Sequence, residues 1–202
     1  MLILVRHGES AWNAADRFAG WADVALTEVG REQARDVGRR LLDDGCVPTV
    51  AHTSVLTRAV STADLILDAC GAATVPTLRT PLLNERHYGA LQGLPRTAAV
   101  ERFGAAQVAR WRRGISDRPP ADAAGHGESL ADVRARIRPY VETVLFRVLD
   151  AGDPVLLVSH GNTLRMLRQI VEGLTDAQAS ALELPTGGYV RYEDVSVLRR
   201  AC

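Results

Sequence analysis

Met1-Leu2-Ile3-Leu4-Val5-Arg6-His7-Gly8-Glu9-Ser10 is the stretch that decides the fold. Five apolar residues run without a break and stop at an arginine, a histidine and a glycine. Such a run is expected of a strand buried on both faces, as in a parallel sheet. The glycine lets the backbone turn sharply or approach a ligand closely. Arg6 and His7 therefore belong at the carboxyl end of a buried strand, where open α/β sheets place their ligands. The pattern recurs at Pro154-Val155-Leu156-Leu157-Val158-Ser159-His160-Gly161-Asn162. Two buried strands that each end in His-Gly make a stronger signal than either alone.

Helical and strand signals alternate between these two stretches. Thr27 is an N-cap for a helix running to about Asp44, closed by Gly45, with Ala34, Val37 and Leu41 on one face. Thr49 to His52 reads as a short strand, followed by a helix from about Val55 to Cys70 that places Arg58 in its first turn. Val75-Pro76-Thr77-Leu78 reads as an edge strand because of its proline. Leu82 to Gly93 has neither period and is a structured loop, followed by a helix from about Pro95 to Phe103. Ile115 to Gly127 is an irregular connection. Ser129, with Asp132 at the third position, caps a long helix with a buried stripe of Leu130, Val133, Ile137, Val141, Val144 and Val148, ended by Gly152. Thr163 to Val171 follows as a helix, and Gly188 to Tyr192 with Val195 to Leu198 reads as a terminal strand or hairpin. The expected fold is α/β: a three-layer α/β/α sandwich with a mainly parallel sheet, in one domain over residues 1–202.

Composition sets limits on function. The formal net charge is zero, which argues against nucleic acid and anionic membranes as partners. All 24 basic residues are arginine, so every side-chain anion contact of that kind uses a planar, bidentate guanidinium. Cys46, Cys70 and Cys202 lack a Cys-x-x-Cys spacing and read as free thiols in a reducing compartment. The five-residue apolar run is too short for a signal peptide or a membrane span, so the cytoplasm is the expected location.

If the two His-Gly strand ends are neighbours, two imidazoles, Arg6 and Arg58 face one small volume. Arginine forks match phosphate oxygens in pairs, and a helix N-terminus after each strand adds backbone donors. Such a pocket suits a phosphoryl group. One neutral imidazole can attack phosphorus, while the other, if protonated, stabilises the oxygens in transfer. A carboxyl group must then move the proton of the substrate or leaving oxygen, and Glu85 is the best placed. Two histidines and a glutamate could also bind zinc, but the two arginines would repel a cation. Neither Gly-x-Gly-x-x-Gly nor Gly-Lys-Ser/Thr is present. His52, His87 and His126 have no such support, and Trp12, Trp21 and Trp111 read as packing residues.

Leu4 to Ser10 resembles the signature of the histidine phosphatase superfamily. Arg6 to Asn13, Arg17-Phe18-Ala19-Gly20-Trp21, Asn84 to Gly93, Trp111-Arg112-Arg113-Gly114 and Ser159-His160-Gly161-Asn162 together resemble its cofactor-dependent phosphoglycerate mutases. The resemblance implies that His7 is a phosphorylated nucleophile surrounded by Arg6, Arg58 and His160, with Glu85 as proton donor and acceptor. It implies a substrate site lined by Ser10, Asn13, Ala19, Gly20, Arg86, Tyr88, Arg96, Arg112, Arg113, Gly161 and Asn162. Ala19 stands where these mutases usually carry threonine, and Arg96 where they carry lysine. Arg86, Arg112 and Arg113 suit a substrate with a second anion. The implied cofactor is 2,3-bisphosphoglycerate, which primes the phosphoenzyme, with no metal. The implied partner is a small phosphorylated substrate, and the choice between monomer and homo-oligomer stays open. The alternatives are a broad phosphomonoesterase using the same phosphohistidine and a non-catalytic phospholigand-binding protein.

Overall fold

The computed structural model describes residues 1–199. Strands β1 (Leu2–Arg6), β2 (Val50–Thr53), β3 (Thr77–Arg79), β4 (Val155–Ser159) and β5 (Tyr189–Tyr192) form a sheet in the order β3-β2-β4-β1-β5. β1, β2, β3 and β4 are parallel, and β5 closes one edge antiparallel to β1. The helices are α1 (Ala11–Ala14), α2 (Glu28–Asp43), α3 (Thr57–Ala69), α4 (Arg96–Phe103), α5 (Ala105–Arg113), α6 (Leu130–Tyr140), α7 (Phe146–Asp150), α8 (Gly161–Glu172) and α9 (Asp176–Ala181).

Side-chain alternation along the central strands explains the layers. Leu2, Leu4, Val155 and Leu157 point to one face and pack with α6, α7, α8 and α9. Ile3, Val5, Leu156 and Val158 point to the other and pack with α2 and α3. Both faces of β1 and β4 are therefore buried, as their unbroken apolar runs require. A third apolar cluster of Phe18, Leu91, Ala99, Val108 and Trp111 gathers α4, α5 and the loops beside them at the carboxyl edge. No helix among the described residues is long and apolar enough to cross a membrane. Cys46 and Cys70 are free thiols, whereas Cys202 lies outside the described residues.

One expectation needs correction. The helix begun at Ser129 does not keep one register to Gly152. Pro139 removes a backbone donor, and a π-helical turn at Val141–Leu145 follows directly. The wider turn shifts the buried stripe, so Val141, Leu145 and Leu149 are buried while Val144 and Val148 lie at its margin. Of the two readings of the terminal segment, the strand is the one that forms: Tyr189–Tyr192 pairs with the sheet, and Ser196–Arg199 is a 3-10 turn.

The loop after β1 is fixed by close backbone contact. Thr27 caps α2 by accepting from Gly30 N at 3.0 Å, and its Oγ1 donates to Glu9 Oε1 at 2.8 Å. Gly8 N donates to Thr62 Oγ1 of α3 at 3.0 Å. Gly8 and Gly30 meet there backbone to backbone, and a Cβ on Gly30 would run into the Glu9 carbonyl oxygen. Gly30→Ala should therefore cost about 1–3 kcal/mol in urea unfolding, the range for overpacked sites. An unchanged unfolding free energy would contradict this packing.

Candidate active site

β1 and β4 are hydrogen-bonded neighbours in parallel, with Arg6 opposite Ser159. The next residue on each strand is a histidine, so His7 and His160 come side by side with ring centroids 4.9 Å apart. Both are buried. Only β4 runs straight into a helix; His7 to Ser10 separate β1 from the single-turn α1, so the expected helix N-terminus after each strand exists once.

Hydrogen bonding assigns the His7 tautomer. Its Nδ1 donates to the Gly8 carbonyl at 2.7 Å, because a carbonyl only accepts. The lone pair is therefore on Nε2, which accepts from Arg58 Nε at 3.3 Å. Arg58 reaches back from the first turn of α3, as its position in the sequence allows. Its Nη1 and Nη2 donate to the carbonyls of Ala22 at 2.8 Å and Gly20 at 2.7 Å. α3 has no cap of its own; Asp23 accepts from Thr57 N and Thr57 Oγ1, both at 2.7 Å. His160 Nε2 bonds Ser54 Oγ at 2.8 Å, and its Nδ1 has no partner among the described residues.

Burial dominates the electrostatics. It pushes the pKa values of both histidines well below the ordinary imidazole value, and Arg58 and Arg6 push further in the same direction. Both rings are therefore neutral at neutral pH. Burial also lowers Arg58, to about 10, which leaves it charged at neutral pH.

Among the described residues, the cavity over His7 is lined by Arg6, Arg17, Arg58, Arg96, Arg112, Arg113 and Arg165, against only Glu85 and Glu183 as acids. Asn13, Ala19, Gly20, Tyr88, Gly161 and Asn162 complete its expected walls, together with Phe18. His160 lies behind them, fully buried. Arg112 and Arg113 do converge at a helix end, the last turn of α5. Glu85 accepts Arg86 N at 2.8 Å and Asn162 N at 3.2 Å, so the N-terminus of α8 holds its carboxylate. Arg6 Nε and Arg96 Nε are buried donors without hydrogen-bond partners among the described residues, and the ring nitrogen His160 Nδ1 is buried without one as well. Buried donors of this kind call for a ligand. A small polyanion fits them, as it fits the excess of guanidinium groups.

Two expected residues are elsewhere. Ser10 is buried as the N-cap of α1, its hydroxyl donating to Asn13 Oδ1 at 2.8 Å. Arg86 is fully buried and does not line the cavity: Nε donates to Glu128 O at 2.6 Å and Nη2 to Asp117 O at 3.1 Å, while Nη1 has no partner among the described residues. Trp21 is more than a packing residue: it is 37% exposed and its Nε1 donates to Glu85 O at 2.5 Å. Arg17, Arg165 and Glu183 went unassigned in the sequence. Arg17 sits within the Arg17 to Trp21 block, and Arg165 lies one turn after Asn162, whose Oδ1 accepts from its Nη1 at 2.5 Å. Glu183, which pairs with Arg113, carries no local signal.

His87, Asp122 and His126 are the group among the described residues with metal-ligand atoms in mutual reach. His87 Nδ1 accepts from Gly89 N at 3.0 Å, so the ring proton is on Nε2, the nitrogen that faces Asp122 Oδ2 at 3.7 Å. A ligating imidazole needs the opposite arrangement, with the lone pair toward the metal and its other N–H donating outward.

Comparison with known proteins agrees with this geometry. The 2,3-bisphosphoglycerate-dependent phosphoglycerate mutase of Methylobacterium radiotolerans is 49% identical over 188 residues, covering 93% of this chain and 86% of the relative. The enzyme of the same name from Corynebacterium glutamicum is 41% identical over 210 residues, covering 95% and 85%. The solved structure of a mycobacterial glucosyl-3-phosphoglycerate phosphatase in complex with VO3 superimposes with a TM-score of 0.79 at 29% identity, covering 93% of this chain and 90% of that one. Residues 2–194 match the family described as the histidine phosphatase superfamily (branch 1), and the chain belongs to that family.

Proposed function

We propose that this chain is a 2,3-bisphosphoglycerate-dependent phosphoglycerate mutase of the cytoplasm, working as one domain and interconverting 3-phosphoglycerate and 2-phosphoglycerate. The observation that carries the reading is the neutral His7 ring, its Nε2 lone pair 3.3 Å from Arg58, at the floor of an arginine-walled cavity. The names of the relatives at 41–49% identity support the substrate.

His7 Nε2 is the nucleophile and carries the phosphoryl group. Arg6 and Arg58 neutralise the phosphoryl oxygens, a role fixed in advance because burial keeps these guanidinium groups from reorganising around water. An arriving phosphoryl anion favours the protonated form of His160, whose unpartnered Nδ1 can then donate to it. Glu85 takes the proton from the attacking 2-hydroxyl of 3-phosphoglycerate and returns it when the 3-phosphoryl group passes to His7. Arg96, Arg112 and Arg113 hold the second anion of the substrate, and Arg17 and Arg165 extend that wall. 2,3-Bisphosphoglycerate, held by the same arginines, supplies the phosphoryl group that first charges His7. Nothing in these roles uses a metal.

The phosphatase reading stays in play because a solved structure with this fold at 29% identity is named as a phosphatase. One assay separates the two. 2-Phosphoglycerate formation from 3-phosphoglycerate is followed with and without added 2,3-bisphosphoglycerate, with free phosphate measured in parallel. The mutase reading expects primer-stimulated isomerisation that far outpaces phosphate release. Phosphate release without isomerisation would assign a phosphomonoesterase.

The buried neutral rings also tie stability to pH. Above the unfolded histidine value of about 6.5, neither the folded nor the unfolded chain protonates them, and their contribution is full. As pH falls below it, the unfolded chain binds protons that the folded site refuses. Each ring then removes up to about 1.4 kcal/mol of stability per pH unit. Urea unfolding from about pH 7 down to about pH 5.5 should show this decline, and saturating inorganic phosphate should flatten it. A profile that stays level without phosphate would contradict neutral burial.

A further inference from the structure

We propose that Arg136 and Glu128, neither of which lines the cavity, form a clamp that positions Glu85 for proton transfer. The inference rests on the acid–base reading of Glu85 and adds to it a pair of positioning residues.

Glu85 sits on a segment outside the sheet, between the 3-10 turn Pro81–Leu83 and the 3-10 turn Gly89–Leu91. Four carbonyls, two from that segment and two from the turn before it, converge on one guanidinium. Arg136 Nη1 donates to Leu82 O at 2.7 Å, Asn84 O at 3.1 Å and Pro81 O at 3.3 Å, and Nη2 donates to Glu85 O at 3.2 Å. The opposite edge of the same group is held by Glu128, with Nε to Oε1 at 2.8 Å and Nη2 to Oε2 at 3.0 Å. Glu128 also grips the segment itself. Its Oε2 accepts from His87 N at 2.8 Å, and its backbone N donates to His87 O at 2.9 Å.

The pair is largely withdrawn from water, with side-chain exposures of 14% and 17%. In that setting a bidentate pair is strong when complete and costly when one member is lost. A guanidinium is also the one side chain whose planar fork can meet a carboxylate on one edge and a row of carbonyls on the other; the ammonium of lysine is a point charge with three donors. The guanidinium lies over the ring of Trp21, 5.6 Å from its centroid, and Trp21 Nε1 donates to the same Glu85 carbonyl. The backbone of Glu85 is thus fixed from α6 by residues outside the cavity wall. Its carboxylate is left facing Asn162 N and the cavity. Proton transfer requires heavy atoms about 2.6–3.2 Å apart. Slackness of about 1 Å in this segment is enough to cost about 100-fold in rate.

The test separates loss of proton donation from general damage. Formation of the phosphoenzyme is timed with phenyl phosphate, whose leaving oxygen needs a proton, and with 2,4-dinitrophenyl phosphate, whose leaving oxygen does not. Arg136→Lys should slow the reaction of phenyl phosphate by about 100-fold and that of the dinitrophenyl ester only a few-fold. Glu128→Gln, a milder change that keeps an acceptor for His87 N, should show the same selectivity if the first variant folds poorly. Arg138→Gln, which alters an exposed pair with Glu142 on the same helix, should leave both rates unchanged. Glu85→Gln provides the reference pattern. Equal losses on both esters, or no loss on phenyl phosphate, while Glu85→Gln remains selective, would overturn the clamp and leave the role of Glu85 standing. Absence of selectivity in Glu85→Gln would overturn both.

Discussion

The parallel pairing of β1 with β4 is the constraint on which the site depends. These strands come from opposite ends of the described chain, and their register sets Leu2 against Val155 and Arg6 against Ser159. Each then continues into a histidine at the same level of the sheet. The 4.9 Å separation of the rings follows from strand spacing, which is about 4.8 Å in any sheet. A slip of one residue would turn every core side chain of one strand to the wrong face, so the burial that stabilises the fold also holds the imidazoles together.

What surrounds the pair is an electrostatic arrangement suited to an anion. Among the described residues, seven arginines and two glutamates line the cavity, and Arg6 Nε, Arg96 Nε and His160 Nδ1 near it lack partners. Burial keeps both imidazoles neutral, which preserves the lone pair of His7 and leaves His160 able to gain a proton when negative charge arrives. Carbonyls of the surrounding loops hold the arginines in place: Gly20 and Ala22 hold Arg58, Leu184 holds Arg6 and Leu182 holds Arg165. The loops are ordered by the same guanidinium groups that would bind the substrate.

Much of this was legible in the sequence, and the reasons are physical. Unbroken apolar runs read as doubly buried strands because a strand's exposed face must carry polar groups. Thr27 and Gly45 marked the ends of α2 through cap chemistry that depends on few neighbours. Arg58 and Glu85 were found because position relative to strand ends and loops is set locally. The misses share the opposite property. The π-helical turn after Pro139 depends on how α6 packs, so the stripe was extended one residue out of register. Arg86 looked like a cavity residue because neighbouring sequence cannot show that Glu128 O and Asp117 O hold two of its nitrogens behind the wall. Arg136 and Glu128 carry no motif at all, and only the folded loop shows that they support Glu85.

The central claim is that His7, rather than its neighbour His160 or a carboxylate, carries the phosphoryl group on Nε2. The direct measurement is site mapping: the enzyme is charged with 2,3-bisphosphoglycerate, quenched in alkali, digested, and the modified peptide sequenced by mass spectrometry. The account predicts a single acid-labile phosphoryl group on His7. A phosphoryl group on His160 or any other residue, or no covalent adduct under conditions where turnover is seen, would contradict it.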